Sequence, residues 1–209
     1  MLFDFRVNFY SDSCCILAVA YLIVGTVSTV EAKAPSAAEV EKQLAEVEGI
    51  LKKDPKDIAA LDRRIAGLNL LGRTREANEL CDEALKIESN RGFLWFNKGY
   101  CRYTEGRWLD AITFFEKAST YGNFDGLVLE AICFRKLGKF SECIEFTSKW
   151  IDRKHDQSGL FFIRGLARHA LKQSKQLVCL DLRRALELAP GEESILKGYE
   201  KICLEADNK

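Results

Sequence analysis

A period restricts how this chain can fold more than any single motif does. Leu61, Trp95, Leu127 and Phe161 recur at spacings of 34, 32 and 34, and Gly72, Gly106 and Gly138 at 34 and 32. Thr74, Trp108 and Phe140 follow the glycines by two positions each time, and Ala77, Ala111 and Cys143 follow three later. Ala84, Ala118, Trp150 and Ala185 keep a rhythm of 34, 32 and 35. Self-similarity of this length means that each unit is one small motif whose apolar face is covered by its neighbours, so the array folds and the isolated unit does not. Prolines stand only at 35, 55 and 190. The region between the last two therefore lacks the residue that most often stops helices, and the pattern predicts an all-α chain.

The second unit shows the grammar best. Residues 95–118 read WFNKGYCRYTEGRWLDAITFFEKA, with Trp95, Gly99, Gly106, Trp108, Ala111, Phe115 and Ala118 in register. This resembles the tetratricopeptide repeat, two antiparallel helices in which small residues allow close crossing and large ones fill the space opposite. The turn glycine ends the first helix because it takes the left-handed conformation cheaply. The third copy departs by using Cys143 and Trp150 where the family has alanine. The fourth has Phe161, Gly165 and RRALELAP but needs one extra residue and lacks the turn glycine, having Gln173 and Ser174 instead.

The resemblance implies an α-solenoid domain over residues 35–209, with about four helix pairs over 57–90, 91–123, 124–156 and 158–190. A cap is expected over 36–53, where Ser36 and Glu39 have capping-box spacing and Val40, Leu44, Val47 and Leu51 form a helical stripe. A second cap is expected over 192–206, with Ile195, Leu196, Tyr199, Ile202 and Cys203 on one side.

Residues 1–34 differ in kind. Positions 13–30, SCCILAVAYLIVGTVSTV, carry no charge. At about 1.5 Å per residue they would span roughly 27 Å as a helix, just short of a bilayer core. The segment reads either as a signal peptide, cleaved after Ala32, or as an N-terminal membrane anchor retained through 13–30. Both readings place the repeat domain on the non-cytoplasmic side, secreted, periplasmic or membrane-anchored.

Charge and chemistry narrow the function. Lys plus Arg equals Asp plus Glu at 31 each, so no overall field recruits phosphate backbones, and nucleic acid is not an expected partner. GLNLLGRT, residues 67–74, mimics a phosphate-binding loop, but Arg73 stands where a lysine is needed and the repeat already explains Gly72 and Thr74. Six cysteines follow the leader, at 81, 101, 133, 143, 179 and 203, without a Cys-x2-Cys pair. They are expected to pack as small hydrophobes. In an exported domain the first pair to consider for a disulfide is Cys81 with Cys101, which successive helices carry. His155, in the polar stretch RKHDQS, is expected to be exposed. No nucleophile elbow or metal-ligand spacing occurs, so the expectation is a non-enzyme with no cofactor and no metal.

In the family, first helices line a concave groove, and side chains one or two residues past the framework positions point into it. Here those include Phe96, Asn97, Tyr100 and Tyr103, then Val128, Ile132 and Arg135, then Phe162, Leu166 and His169. Trp95, Trp108 and Phe115 are expected in the framework core. An apolar, aromatic groove of this kind implies an adaptor or scaffold holding a peptide or helix of a protein partner. The alternatives are that curvature buries these residues as extra core, or that the chain is a structural subunit of a membrane-associated assembly whose groove is never free. Chaperone-binding members hold a terminal carboxylate with five polar and cationic residues. Only Asn97 matches that set, so co-chaperone activity is not expected.

Overall fold

The computed structural model describes residues 35–155 and 157–204. The expected leader over 1–34, and residues 205–206 of the expected C-terminal cap, lie outside the described residues. Among those described, the elements are α1 (Ala37–Leu51), α2 (Ile58–Leu70), α3 (Thr74–Ile87), α4 (Gly92–Thr104) and α5 (Trp108–Thr120). They continue as α6 (Leu127–Lys136), α7 (Phe140–Asp152), α8 (Ser158–Ala170), α9 (Lys175–Leu188) and α10 (Glu193–Tyr199), closed by a π-helical turn, Glu200–Leu204. Each helix packs on the next, and the first helices α2, α4, α6 and α8 also touch in succession. That is the connectivity of an α-solenoid.

Local signals explain the boundaries. The Ser36 backbone N–H donates to the Glu39 carboxylate at 2.7 Å while the Glu39 N–H donates to Ser36 Oγ at 3.3 Å, so the capping box forms. Val40, Leu44, Val47 and Leu51 are buried against the array. The turns inside the helix pairs reuse one backbone state: Gly72, Gly106 and Gly138 have φ of 72°, 74° and 71°. In the fourth pair Lys172, one repeat length after Gly138, takes the same turn with φ 54°. The extra residue of that copy therefore falls after the turn, where Ser174 caps α9 by accepting from the Leu177 N–H.

The core is organised around Phe115, which is 1% exposed. A Cβ added to Gly99 on α4, or to Gly126 at the start of α6, would lie 2.6 Å from its ring. The two glycines thus make a slot that the ring fills, and Phe96 packs beside it at 6.0 Å. This corrects the expected division of the aromatics. Phe96 is core, at 2% exposure, whereas Trp95 and Trp108 are half-buried. Trp95 lies over Phe114 at 5.9 Å, donates Nε1–H to the Ser89 carbonyl at 2.8 Å and carries Lys117 on its face. It is an outer strap across the α4–α5 seam rather than a core wedge.

A charge ladder runs through the stack. Arg64, Lys98 and Arg164 occupy one register of α2, α4 and α8, and each reaches the residue 16 positions back on the preceding helix. Arg64 meets Glu48 at 3.5 Å, Lys98 forms an ion pair with Asp82, and Arg164 donates to Ser148 Oγ at 3.1 Å and to Asp181 at 2.7 Å. In α6 this register holds Glu130, and the residue 16 back is Phe114. Glu130 is 1% exposed and its Oε1 has no hydrogen-bond partner. Burial first, and Glu116 second, raise its carboxyl to about 8, against a smaller opposing pull from Lys149.

Cys179 on α9 is bonded to Cys203 in the terminal turn, with Cα atoms 5.7 Å apart, while Cys81, Cys101, Cys133 and Cys143 are buried free thiols. The expected Cys81–Cys101 pairing is therefore overturned. Cys101 Sγ instead contacts the Thr74 carbonyl at 3.3 Å, and burial pushes its thiol up to about 12, so both residues serve as small hydrophobes. The Cys179–Cys203 bond joins positions separated by 24 in sequence. Its removal by Cys179→Ser is expected to cost about 3 kcal/mol in urea denaturation through the freed chain entropy of the unfolded state. Equal stability with and without reductant would contradict the assignment.

Candidate functional site

The sequence assigns ten partner-binding side chains to the face made by the first helices, and the structure separates them into two sets. Phe96, Asn97, Ile132 and Phe162 are buried, at 2%, 0%, 3% and 0% exposure. They are not free groove surface. Phe96 packs on Phe115. Asn97 accepts from Asn69 Nδ2 at 2.7 Å and donates to the Phe93 carbonyl at 2.8 Å, joining α2 to α4 inside the stack. Ile132 belongs to the same core as Phe115. Phe162 is covered by α10, where a Cβ on Gly198 would come within 2.8 Å of its ring. For these four residues, burial as core is the reading that holds.

The other six remain at the surface. Tyr100, Tyr103, Val128, Arg135 and Leu166 are half-buried and His169 is exposed. They come from three successive first helices, α4, α6 and α8, and all but Val128 fall into two rows. Tyr103, Arg135 and His169 follow one another at spacings of 32 and 34, one register of the repeat; Tyr100 and Leu166 lie three positions earlier in α4 and α8. Because α4 touches α6 and α6 touches α8, equal register places each row along the stack. Tyr103 is braced by Trp108 across the turn, ring centroids 5.3 Å apart.

Arg135 is the unusual member. Its Nε is buried without a hydrogen-bond partner, and among the described residues no carboxylate forms an ion pair with it. Burial holds its guanidinium below the ordinary arginine value, with Cys143 and Tyr103 the nearby groups that oppose this. Arg164 and Arg168, by contrast, share the Asp181 carboxylate, at 2.7 and 2.8 Å, although Arg168 Nε is likewise buried without a partner.

His155 departs from expectation. It is half-buried rather than exposed, lying 4.8 Å from the Phe124 ring and 5.2 Å from Trp150. Trp150 fills the inter-pair joint where the family has alanine, and Phe124 and His155 close over it. The sequence carries a signal for this, since two aromatics bracket the joint at 124 and 150.

The architecture is an α-solenoid with the fold of tetratricopeptide-repeat proteins. No protein family's sequence profile matches the chain, and no curated protein does. Solved structures do. PilW, a widely conserved type IV pilus biogenesis factor, superposes with a TM-score of 0.70 at 19% identity, over 93% of this chain and 85% of its own. YrrB, a tetratricopeptide-repeat protein with an unusual peptide-binding site, gives 0.61 at 15% identity, over 78% and 84%. TTC0263, a thermophilic tetratricopeptide-repeat protein of Thermus thermophilus, gives 0.63 at 13%, over 79% and 91%. At these identities the likeness is one of fold.

Proposed function

We propose that this protein is a non-catalytic adaptor that holds a peptide or helical segment of a protein partner on the face of α4, α6 and α8. The observation that carries the reading is the half-exposed strip of Tyr100, Tyr103, Val128, Arg135, Leu166 and His169, positions that the repeat pattern itself does not specify. Three consecutive first helices supply it, so it is continuous enough to follow a segment rather than a small molecule. The balanced charge of the chain favours protein over nucleic acid.

Tyr100→Ala combined with His169→Ala removes two ring systems from this face without touching a fully buried side chain. The double variant is expected to keep the circular dichroism spectrum and melting transition of the wild type while weakening partner binding at least about tenfold. Unchanged binding would place the partner elsewhere on the molecule.

A second reading is favoured by the opposite end of the stack, where Leu180 and Leu204 are 61% and 57% exposed beside Tyr199 and the disulfide. Terminal surfaces of solenoids are ordinarily polar, so apolar side chains here suit permanent contact within a larger assembly. In that case Leu180→Asp with Leu204→Asp, rather than the groove variant, disrupts the native complex in size-exclusion chromatography.

The proposal includes a location outside the cytoplasm. The uncharged run 13–30 and the Cys179–Cys203 bond support it, since such bonds persist in oxidising compartments. Among the described residues no helix is long and apolar enough to cross a membrane, so anchoring falls to residues 13–30 when the leader is retained. Amino-terminal sequencing of the native protein separates the two forms: Lys33 first indicates cleavage, Met1 an anchor.

A further inference from the structure

Arg135 is a cation for which the described residues offer no counter-charge. The ladder described above pairs its charges within the stack, and Arg164 and Arg168 converge on Asp181. Arg135 lies in the surface strip with its Nε withdrawn from water without an acceptor, and unlike Arg168, whose Nε is also unpartnered but whose Nη1 meets Asp181, it has no carboxylate ion pair among the described residues. Leaving a desolvated donor unmade costs more than a typical hydrogen bond returns, and charge-assisted bonds to a carboxylate are among the strongest available. Its surroundings sharpen the requirement. Tyr103 lies close enough to act on it electrostatically, and Tyr100, Val128 and Leu166 give the strip an apolar lining.

Resting on the adaptor reading, we infer that Arg135 is the specificity point of the strip, and that it receives an Asp or Glu side chain from within an otherwise apolar segment of the partner. An internal side chain fits better than a chain terminus. Arg135 stands on the middle helix of the strip, with Tyr100 and Tyr103 on α4 to one side and Leu166 and His169 on α8 to the other. A segment crossing it therefore continues in both directions. A terminal carboxylate would also be expected to call for more than one neighbouring cation, and the strip supplies a single guanidinium.

The test uses full-length protein and random 12-residue peptides displayed with their C-termini fused to the phage coat, so that any selected acid is a side chain. The wild type is expected to enrich apolar peptides carrying one central Asp or Glu. In the best of these, replacing that acid by its amide weakens binding about tenfold or more. Arg135→Gln, checked by an unchanged melting transition, is expected to erase that difference, and Arg135→Glu to select Lys or Arg at the same position. Peptides bound equally by wild type and Arg135→Gln, without acid preference, would overturn the inference and leave the adaptor reading standing. Failure to enrich any peptide that Tyr100→Ala weakens would overturn both. Acid recognition seen only in a library with free C-termini would overturn the internal assignment.

Discussion

Raising the pH from about 5 to about 9 is expected to destabilise this domain by several kcal/mol, and Glu130→Gln is expected to remove most of that loss. The cause is the broken step of the charge ladder. Glu130 replaces a cation at a register where its neighbour is Phe114, and burial raises its carboxyl from 4.5 to about 8. The folded state therefore holds a proton through a window in which the unfolded chain has released it. A group whose folded value is raised contributes stability that is fully present below the unfolded value and lost as pH rises through the folded one. Each pH unit across that window changes stability by about 1.4 kcal/mol, so the total is on the order of 4–5 kcal/mol. The amide does not titrate, and it has nearly the same shape. Urea denaturation at a series of pH values reads the effect directly. A wild-type slope that survives unchanged in Glu130→Gln would show that another group binds the proton.

Phe115→Ala is expected to cost about 3–5 kcal/mol, whereas Trp95→Ala, although it deletes a larger ring, is expected to cost about 1–2 kcal/mol. The difference lies in what surrounds each ring. Phe115 fills a slot between Gly99 and Gly126 that no side chain can enter to repair. Removing the ring leaves a void bounded by backbone, where relaxation is poorest and the cavity cost largest. Trp95 is half-buried on the outer seam, so its loss gives up stacking on Phe114, the contact with Lys117 and one hydrogen bond, but opens no enclosed cavity. Gly99→Ala should behave like an overpacked core rather than like an ordinary helix glycine, because its Cβ would meet the same ring at 2.6 Å. Thermal melts of the three variants rank them. Trp95→Ala falling as far as Phe115→Ala would restore the tryptophan to the core.

These two results trace where the sequence is informative. The helix pairs are legible because their signal is a spacing, and a spacing survives any choice of partner. Which of two adjacent aromatics faces the core is a different question, since neighbours in a helix point about 100° apart and the answer depends on the crossing of α4 with α5 and α6. Trp95 carries the family's signature and still lies outside, while Phe96 lies within. The same ambiguity puts Phe96, Asn97, Ile132 and Phe162 into the groove when only the repeat register is used. The Glu130 step could have been read from the constant offset of 16 that links 64 to 48, 98 to 82 and 164 to 148. The Cys179–Cys203 bond could not, because it depends on the path of the terminal turn after α10, which has no counterpart in the repeat. Lys172 stands one full period after Gly138, but the residue inserted after it obscures the alignment.

Site-specific photo-crosslinking in the native cell shows whether the partner lies on the face of α4, α6 and α8. A benzophenone side chain is placed singly at Tyr100, Leu166 or His169 on the first-helix face, and at Leu109, which is 60% exposed on α5. One common adduct is expected from the three first-helix positions and none of it from Leu109. The same adduct from Leu109, with none from Tyr100, Leu166 or His169, would contradict that placement.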